Sequence, residues 1–408
     1  MQAAEIPALI DRYAEFVVRV AANVQPGQDV HLSALVEHAP IARAVAEQAY
    51  LAGARRVVVE YADYQVRRSA IRHAPDEALG SHYPHELDRF RFWREQGIAW
   101  ISLTGNPDPT VFDGLDPARI AAYPSKVLAA EVSGLIHDVA WTVAAAPNEG
   151  WARQIFGQPD VTRLWEAVAV ATRLDEPDPV AAWREHLARL AGRVAVLDRL
   201  ALDAIRFRGP GTDLTVGLIA GSHWLGGSTR TPGGVEFLPN VPTEEVFTSP
   251  DWRRTEGTVR ITEPLILSAT PVIGLRLRFG AGRIVEMTAD QGAELVQAQL
   301  DHDERARFLG EVALVDGSSR VRRAGVTFHD PLYDENVGCH IAYGISYPEA
   351  VPGADLLDDA ELLERGLNVA SSHTDVTIGG PAVKVDGLRA DGTVIPLIHD
   401  DLFVLPAN

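Results

Sequence analysis

The residues able to do chemistry are concentrated in the second half of this 408-residue chain, in four short segments. The first, Asn240-Val241-Pro242-Thr243-Glu244-Glu245-Val246-Phe247-Thr248, sets two adjacent carboxylates between a proline and an apolar pair. Adjacent residues on extended chain point to opposite sides, so at most one of Glu244 and Glu245 faces a given site. An exposed acidic loop is the plainer alternative. In the second, Gly310-Glu311-Val312-Ala313-Leu314-Val315, a glutamate shares an apolar strand pattern. A buried unpaired carboxylate is costly, so Glu311 needs a metal or a cation unless it lies at an exposed strand end. The third segment runs from Asn336 to Tyr347 and contains His340. Its glycines predict irregular backbone near a site, with a core or capping histidine as the alternative role for His340. In the fourth, a strand from His373 puts His373, Asp375 and Thr377 on one face. An imidazole and a carboxylate so placed make a metal half-site, or a plain hydrogen-bonded couple.

Together, one of the adjacent glutamates, Glu311, His340, His373 and Asp375 make three carboxylates and two imidazoles. That set suits two divalent cations sharing a bridging carboxylate. Oxygen and nitrogen donors without thiolate favour Zn, Co or Mn over soft metals. Two such cations can hold a bridging hydroxide and stabilise both oxygens of a displacement.

The elements that must position these residues divide the chain. In the first half, helical spacing (Ile10 to Ala22, Ile41 to Leu51, Leu87 to Gln96) alternates with strand runs. The runs are Asp29 to Ser33, Val57 to Tyr61, Ala99 to Leu103 and Ala140 to Ala144. The β-branched run Val57 to Tyr61 predicts a buried strand. Such alternation predicts a layered α/β domain with a parallel sheet over residues 1–182. Asp175-Glu176-Pro177-Asp178-Pro179 is the best linker. From Ile205 onward, hairpin signals recur around Gly209-Pro210-Gly211, Gly280-Ala281-Gly282 and Asp391-Gly392. They predict an α+β domain over 183–408, with a mixed, hairpin-rich sheet carrying the metal site.

Composition excludes several classes. With 37 Lys+Arg against 56 Asp+Glu, the net charge of −19 offers no basic face for a phosphate backbone. The one cysteine, Cys339, rules out an internal disulfide and a thiolate zinc site. It precedes His340, so oxidation there would be linked to metal loss. No GxGxxG or GxxxxGK[ST] is present, which removes the phosphate loop a nucleotide site needs. The apolar stretch Val127 to Pro147 is broken by Glu131, His137 and Asp138, so it is not a membrane span. The expectation is a cytoplasmic enzyme with no nucleic-acid or membrane partner.

The segments NVPTEEVFT, LGEVALV, GCHIAYGISY and SSHTDVTIGG resemble, in order, the signature segments of the M29 metalloaminopeptidases. Gly211-Thr212-Asp213-Leu214, Trp224-Leu225-Gly226-Gly227 and Phe237-Leu238-Pro239 also resemble that family, strongly over 205–380. The resemblance implies two metals on Glu245, Glu311, His340, His373 and Asp375, with Glu245 chosen over Glu244. It further implies Tyr347 at the active site, with Tyr343 as second choice. The implied activity is hydrolysis of the N-terminal peptide bond of peptides with a free N-terminus. A metal-bound hydroxide would attack, Glu245 or Glu311 taking the proton and Tyr347 steadying the oxyanion. A homodimer is implied as well. Cys339 and Thr377 depart from the family pattern without removing a ligand.

Two alternatives use the same residues. A ring-opening dioxygenase of the dihydroxypyridine type would hold one Fe(II) on His340, His373 and Asp375, and would have no need of Glu245 and Glu311. A binding or regulatory protein would usually have lost a ligand, and here all five are present.

Overall fold

The computed structural model describes residues 5–267 and 270–405. They form two compact units: the chain up to Arg184 with Ser228–Pro242, and Glu185–Gly227 with the chain from Thr243 onward. The expected boundary at 182/183 falls two residues before the first crossing. That crossing lies inside the long helix Pro179–Leu200, not in the proline-punctuated segment before it. Segment 228–242, expected in the C-terminal domain, packs with the first unit. Its strand Asn240–Val241 pairs with Ala140–Ala145, a long-range partner that local patterning does not reveal.

Unit 1 is built on a parallel sheet. Its strands are β1 (Asp29–Leu35), β2 (Arg56–Ala62), β3 (Ala99–Thr104), β4 (Ala140–Ala145) and β5 (Asn240–Val241), in the order β2-β1-β3-β4-β5. Helices α1 (Ile6–Phe16), α2 (Ala39–Leu51) and α3 (Pro84–Gln96) are among its helical elements. The apolar spacing from Ile10 to Ala22 spans α1 and a following π-helical turn, Val17–Ala21. Helix α3 stops at Gly97, whose left-handed φ of 57° suits a residue without Cβ. The run Val57 to Tyr61 is an edge strand with one unpaired side, so β2 is largely exposed and not buried as its β-branched residues predicted.

In unit 2 the described pairings are antiparallel, built from the hairpins expected there. The hairpins at Gly209 to Gly211, Gly280 to Gly282 and Asp391-Gly392 belong to an eight-stranded sheet. A separate four-stranded sheet holds β6 (Val246–Thr248), β7 (Leu309–Leu314), β8 (His340–Gly344) and β9 (His373–Thr377), in chain order. The glycine-punctuated third segment is therefore a regular, fully buried strand over its histidine half. One face of this sheet buries Val312, Leu314, Ile341, Tyr343, Val376 and neighbours in the apolar core. The other face is where the acidic and imidazole side chains gather.

Candidate metal centre

Register alone brings the four sheet residues together. Glu311 stands opposite Ala342, and Ala342 opposite Asp375; His340 lies opposite Ala313 and Thr377, and His373 opposite Gly344. Cross-strand partners share a face, as do residues two apart on one strand. Glu311, His340, His373 and Asp375 therefore project to one side. The intervening positions on that side are Ala313, Ala342 and Gly344, small residues that leave room above the sheet. Glu245 precedes β6, and its alternate Phe247 is opposite Ala313, so Glu245 points to the same face. Glu244 points away. It is 3% exposed, not on an open acidic loop, and its carboxylate accepts from the Arg320 N–H at 3.2 Å. His186 Nε2 is 3.5 Å from its other oxygen.

The atoms converge. His340 Nε2 lies 3.0 Å from Glu245, 3.7 Å from Glu311 and 3.9 Å from Asp375. His373 Nε2 lies 3.0 Å from Glu311 and 3.3 Å from Asp375. Donors bound about 2.0–2.2 Å from one tetrahedral cation stand roughly 3.3–3.6 Å apart, so these spacings suit metal ligands. Two sets each place three ligand atoms within 4.8 Å of one another: Glu245, Glu311 and His340, and Glu311, His373 and Asp375. Glu311 belongs to both.

The hydrogen bonds behind the imidazoles bear on what sits in front. His340 Nδ1 faces the Gly338 carbonyl at 3.2 Å, and His373 Nδ1 faces the Ile345 carbonyl at 2.9 Å. A carbonyl only accepts, so both Nδ1 atoms carry the proton and both Nε2 atoms of the neutral rings present lone pairs. Those lone pairs point at carboxylate oxygens. Such an arrangement repels unless a proton or a cation stands between. The buried Glu245 oxygen that faces His340 Nε2 at 3.0 Å is one of these oxygens. The residues therefore fit a divalent-metal centre.

Without cations, charge is redistributed onto protons. Burial opposes the charge on His373, but Asp375 and Glu311 outweigh it and push the imidazole up to about 11. His340 is likewise driven well above its ordinary value, by Glu245 and Glu311 against burial. For Glu311, burial works against ionisation, yet hydrogen bonds from both histidines hold its carboxyl at about 2. Glu245 is raised, burial outweighing the pull of His340.

Two further residues complete the site. The Tyr347 hydroxyl is 3.4 Å from His373 Nε2, and its ring packs edge-on against His373 at 5.2 Å and Phe247 at 5.1 Å. Burial, reinforced by the surrounding carboxylates, keeps its phenol protonated. Tyr343 instead donates to Gln299 at 2.6 Å, on the core face. Glu335, which the sequence segments did not include, is raised well above the usual range by burial and by the charges of Asp375 and Glu245. It sits on the short turn Glu335–Val337, one residue before the third segment began. An acid five residues ahead of a strand histidine was the signal available. Cys339 is buried with its thiol donating to the Val315 carbonyl at 3.2 Å, and burial pushes it up to about 12. Such a thiol is inert, which removes the expected link between oxidation and metal loss.

Fold and donor set define a class, the metal-dependent hydrolases that bind their cations on a sheet face. The profile of the family described as thermophilic metalloprotease (M29) matches residues 7–403. Aminopeptidase T of Thermus aquaticus is 39% identical over 412 residues, covering 97% of this chain and 98% of that one. Aminopeptidase 2 of Geobacillus stearothermophilus is 38% identical, covering 96% of each. The solved structure of wild-type AmpT from Thermus thermophilus superposes with a TM-score of 0.88 at 38% identity, over 97% of this chain and 99% of that one. The chain belongs to the M29 family, as a hydrolase of the metalloaminopeptidase type. Nothing in these likenesses supports the single-iron dioxygenase alternative.

Proposed function

We propose that the chain removes the N-terminal residue of peptides at a dinuclear centre. The observation that carries this is the pair of three-ligand sets joined by Glu311. In this reading Glu245 and His340 would hold one cation and His373 and Asp375 the other, with Glu311 within reach of both sets. Two Zn, Co or Mn ions bound there would polarise a scissile carbonyl and supply hydroxide near neutral pH.

The remaining work falls to side chains. Glu245 and Glu311, the first candidates for general base, are committed as ligands. Glu335 is the carboxyl whose surroundings favour holding a proton. It is thus suited to take one from water and return it to the leaving amine. Tyr347 retains its O–H at neutral pH and can donate to the oxyanion. The free α-amine of the substrate would bind a cation or a carboxylate, which would account for cleavage at the N-terminus and disfavour blocked termini. Family membership is the support for a homodimer and for a cytoplasmic setting. Among the described residues no helix is long and apolar enough to cross a membrane.

The test is dialysis against a chelator, followed by restoring Zn, Co, Mn or Fe singly and assaying Leu-p-nitroanilide and a dihydroxypyridine. Release of nitroaniline should return with Zn, Co or Mn at two ions per chain. One iron per chain with no metal-dependent nitroaniline release would overturn the proposal.

A further inference from the structure

Unit 1 contains a cavity of about 220 Å³ that the peptide chemistry does not use. Its floor follows from register: Asp29 stands beside Arg56 and His31 beside Val58, so these four share one face of the parallel sheet. Helix α3 lays Phe92 and Trp93 against that face, the Trp93 ring lying 4.2 Å from His31.

Three polar features are left unanswered by the protein. His31 is 4% exposed, and its Nδ1 has no hydrogen-bond partner. Burial, helped by the charge of Arg89, holds this imidazole down to about 4, so it is neutral at physiological pH. Arg89 donates to Glu60 at 2.8 Å and lies over Trp93 at 4.8 Å, but its Nε is buried without a partner. Buried donors in that condition are uncommon in native proteins and call for an explanation. Arg56 makes no ion pair among the described residues, because Asp29 is already gripped by both arms of Arg55, at 2.8 and 2.7 Å. The lining itself pairs Arg56 and Arg89 with Asp29 and Glu60, but Arg55 holds Asp29 from outside the lining, which leaves the Arg56 guanidinium without a direct partner. In a chain of net charge −19, a guanidinium so placed beside a cavity is a local exception.

The remaining walls are hydrocarbon and indole. The volume is below the roughly 300–1,000 Å³ of drug-sized ligand pockets, which excludes a nucleotide and suits one amino acid. We propose that this cavity binds a small organic carboxylate with an apolar body. The carboxylate meets Arg56 and the Arg89 Nε, the hydrocarbon lies on Val58 and Trp93, and a polar substituent meets His31. A free aliphatic amino acid and the corresponding des-amino acid share this chemistry. The site lies within unit 1 and does not rest on the metal centre.

The test is equilibrium dialysis of the full, metal-loaded chain against L-leucine, 4-methylpentanoate and 3-methylbutylamine, the last lacking the carboxylate and offering no amide bond to cleave. The same measurements are made on Arg56→Glu and on Val58→Phe, both at exposed positions of an edge strand. Leucine alone, or leucine and 4-methylpentanoate both, should occupy a site weakened about tenfold or more by Arg56→Glu, the loss of one charge-assisted hydrogen bond. Val58→Phe should close the same site. Leucine alone identifies an amino acid as the ligand; both acids show that the carboxylate suffices. Turnover of Leu-p-nitroanilide should match the parent in both variants, which also reports that they fold. No binding, binding unchanged in both variants, or 3-methylbutylamine held at the variant-sensitive site as tightly as leucine would overturn the proposal.

Discussion

Glu311 is the residue on which the centre converges, 3.0 Å from one histidine and 3.7 Å from the other. Removing its charge takes away the one carboxylate common to both three-ligand sets. Glu311→Gln should therefore lower kcat/KM by about 10³-fold or more and halve the metal bound, read by turnover and elemental analysis. Full metal content would deny it the bridging role. The adjacent glutamates separate two kinds of damage. Glu245→Gln should abolish activity, because its carboxylate faces His340. Glu244→Gln should keep activity within about tenfold and cost roughly 1–3 kcal/mol of stability, since a buried carboxylate bonded to the Arg320 N–H is weakened. Equal activity losses would contradict their opposite orientation. Tyr347→Phe should lower kcat by about 10²–10³-fold with little change in KM. A pure rise in KM would contradict an oxyanion role. The ligand types were legible because carboxylate and imidazole in apolar runs demand compensation. Glu335 was not, because its spacing from His340 was the one hint and its half-buried place near the site depends on residues distant in sequence.

At the scale of elements, strand alternation predicted which residues of β7 and β9 share a face, since a period of two needs no tertiary information. Two expectations failed, each for its own reason. The β-branched run of β2 predicted burial, yet a sheet must have edges, and sequence does not say which strand occupies one. The glycines around His340 predicted irregular chain, yet Gly344 serves a strand. Its φ is 116°, and a Cβ there would stand 2.0 Å from the Ser372 carbonyl oxygen, beside His373. Gly344→Ala should thus force β8 away from β9. We expect a loss of at least about 1–3 kcal/mol in denaturant unfolding and weakened metal binding through displaced His373. Unchanged metal affinity in a folded Gly344→Ala protein would mean that the ligand pair does not depend on this close approach.

For the whole molecule, the centre couples metal content to pH. In the metal-free chain, His373 titrates near 11 against an ordinary 6.5, and His340 is raised as well. A raised imidazole stabilises the fold fully below its ordinary value and loses that contribution as pH climbs through its folded value. The raised carboxyls Glu245 and Glu335 act in the same direction, their contributions declining upward from the ordinary 4.5. Glu311 acts oppositely: held at about 2, it stabilises above 4.5 and loses that contribution as pH falls toward 2. The metal-free protein should therefore lose stability on alkalinisation from about pH 6.5 upward, over the window these shifts define. Cations held by His340 and His373 would replace the protons on the same Nε2 atoms and would bind more tightly as the ligands deprotonate. The loaded protein should hold its Tm over that window, so the gap between loaded and chelated protein should widen from pH 6.5 toward 9. Calorimetry of the two forms across that range measures it. A gap that stays constant or narrows would mean that metal and proton do not compete for His340 and His373.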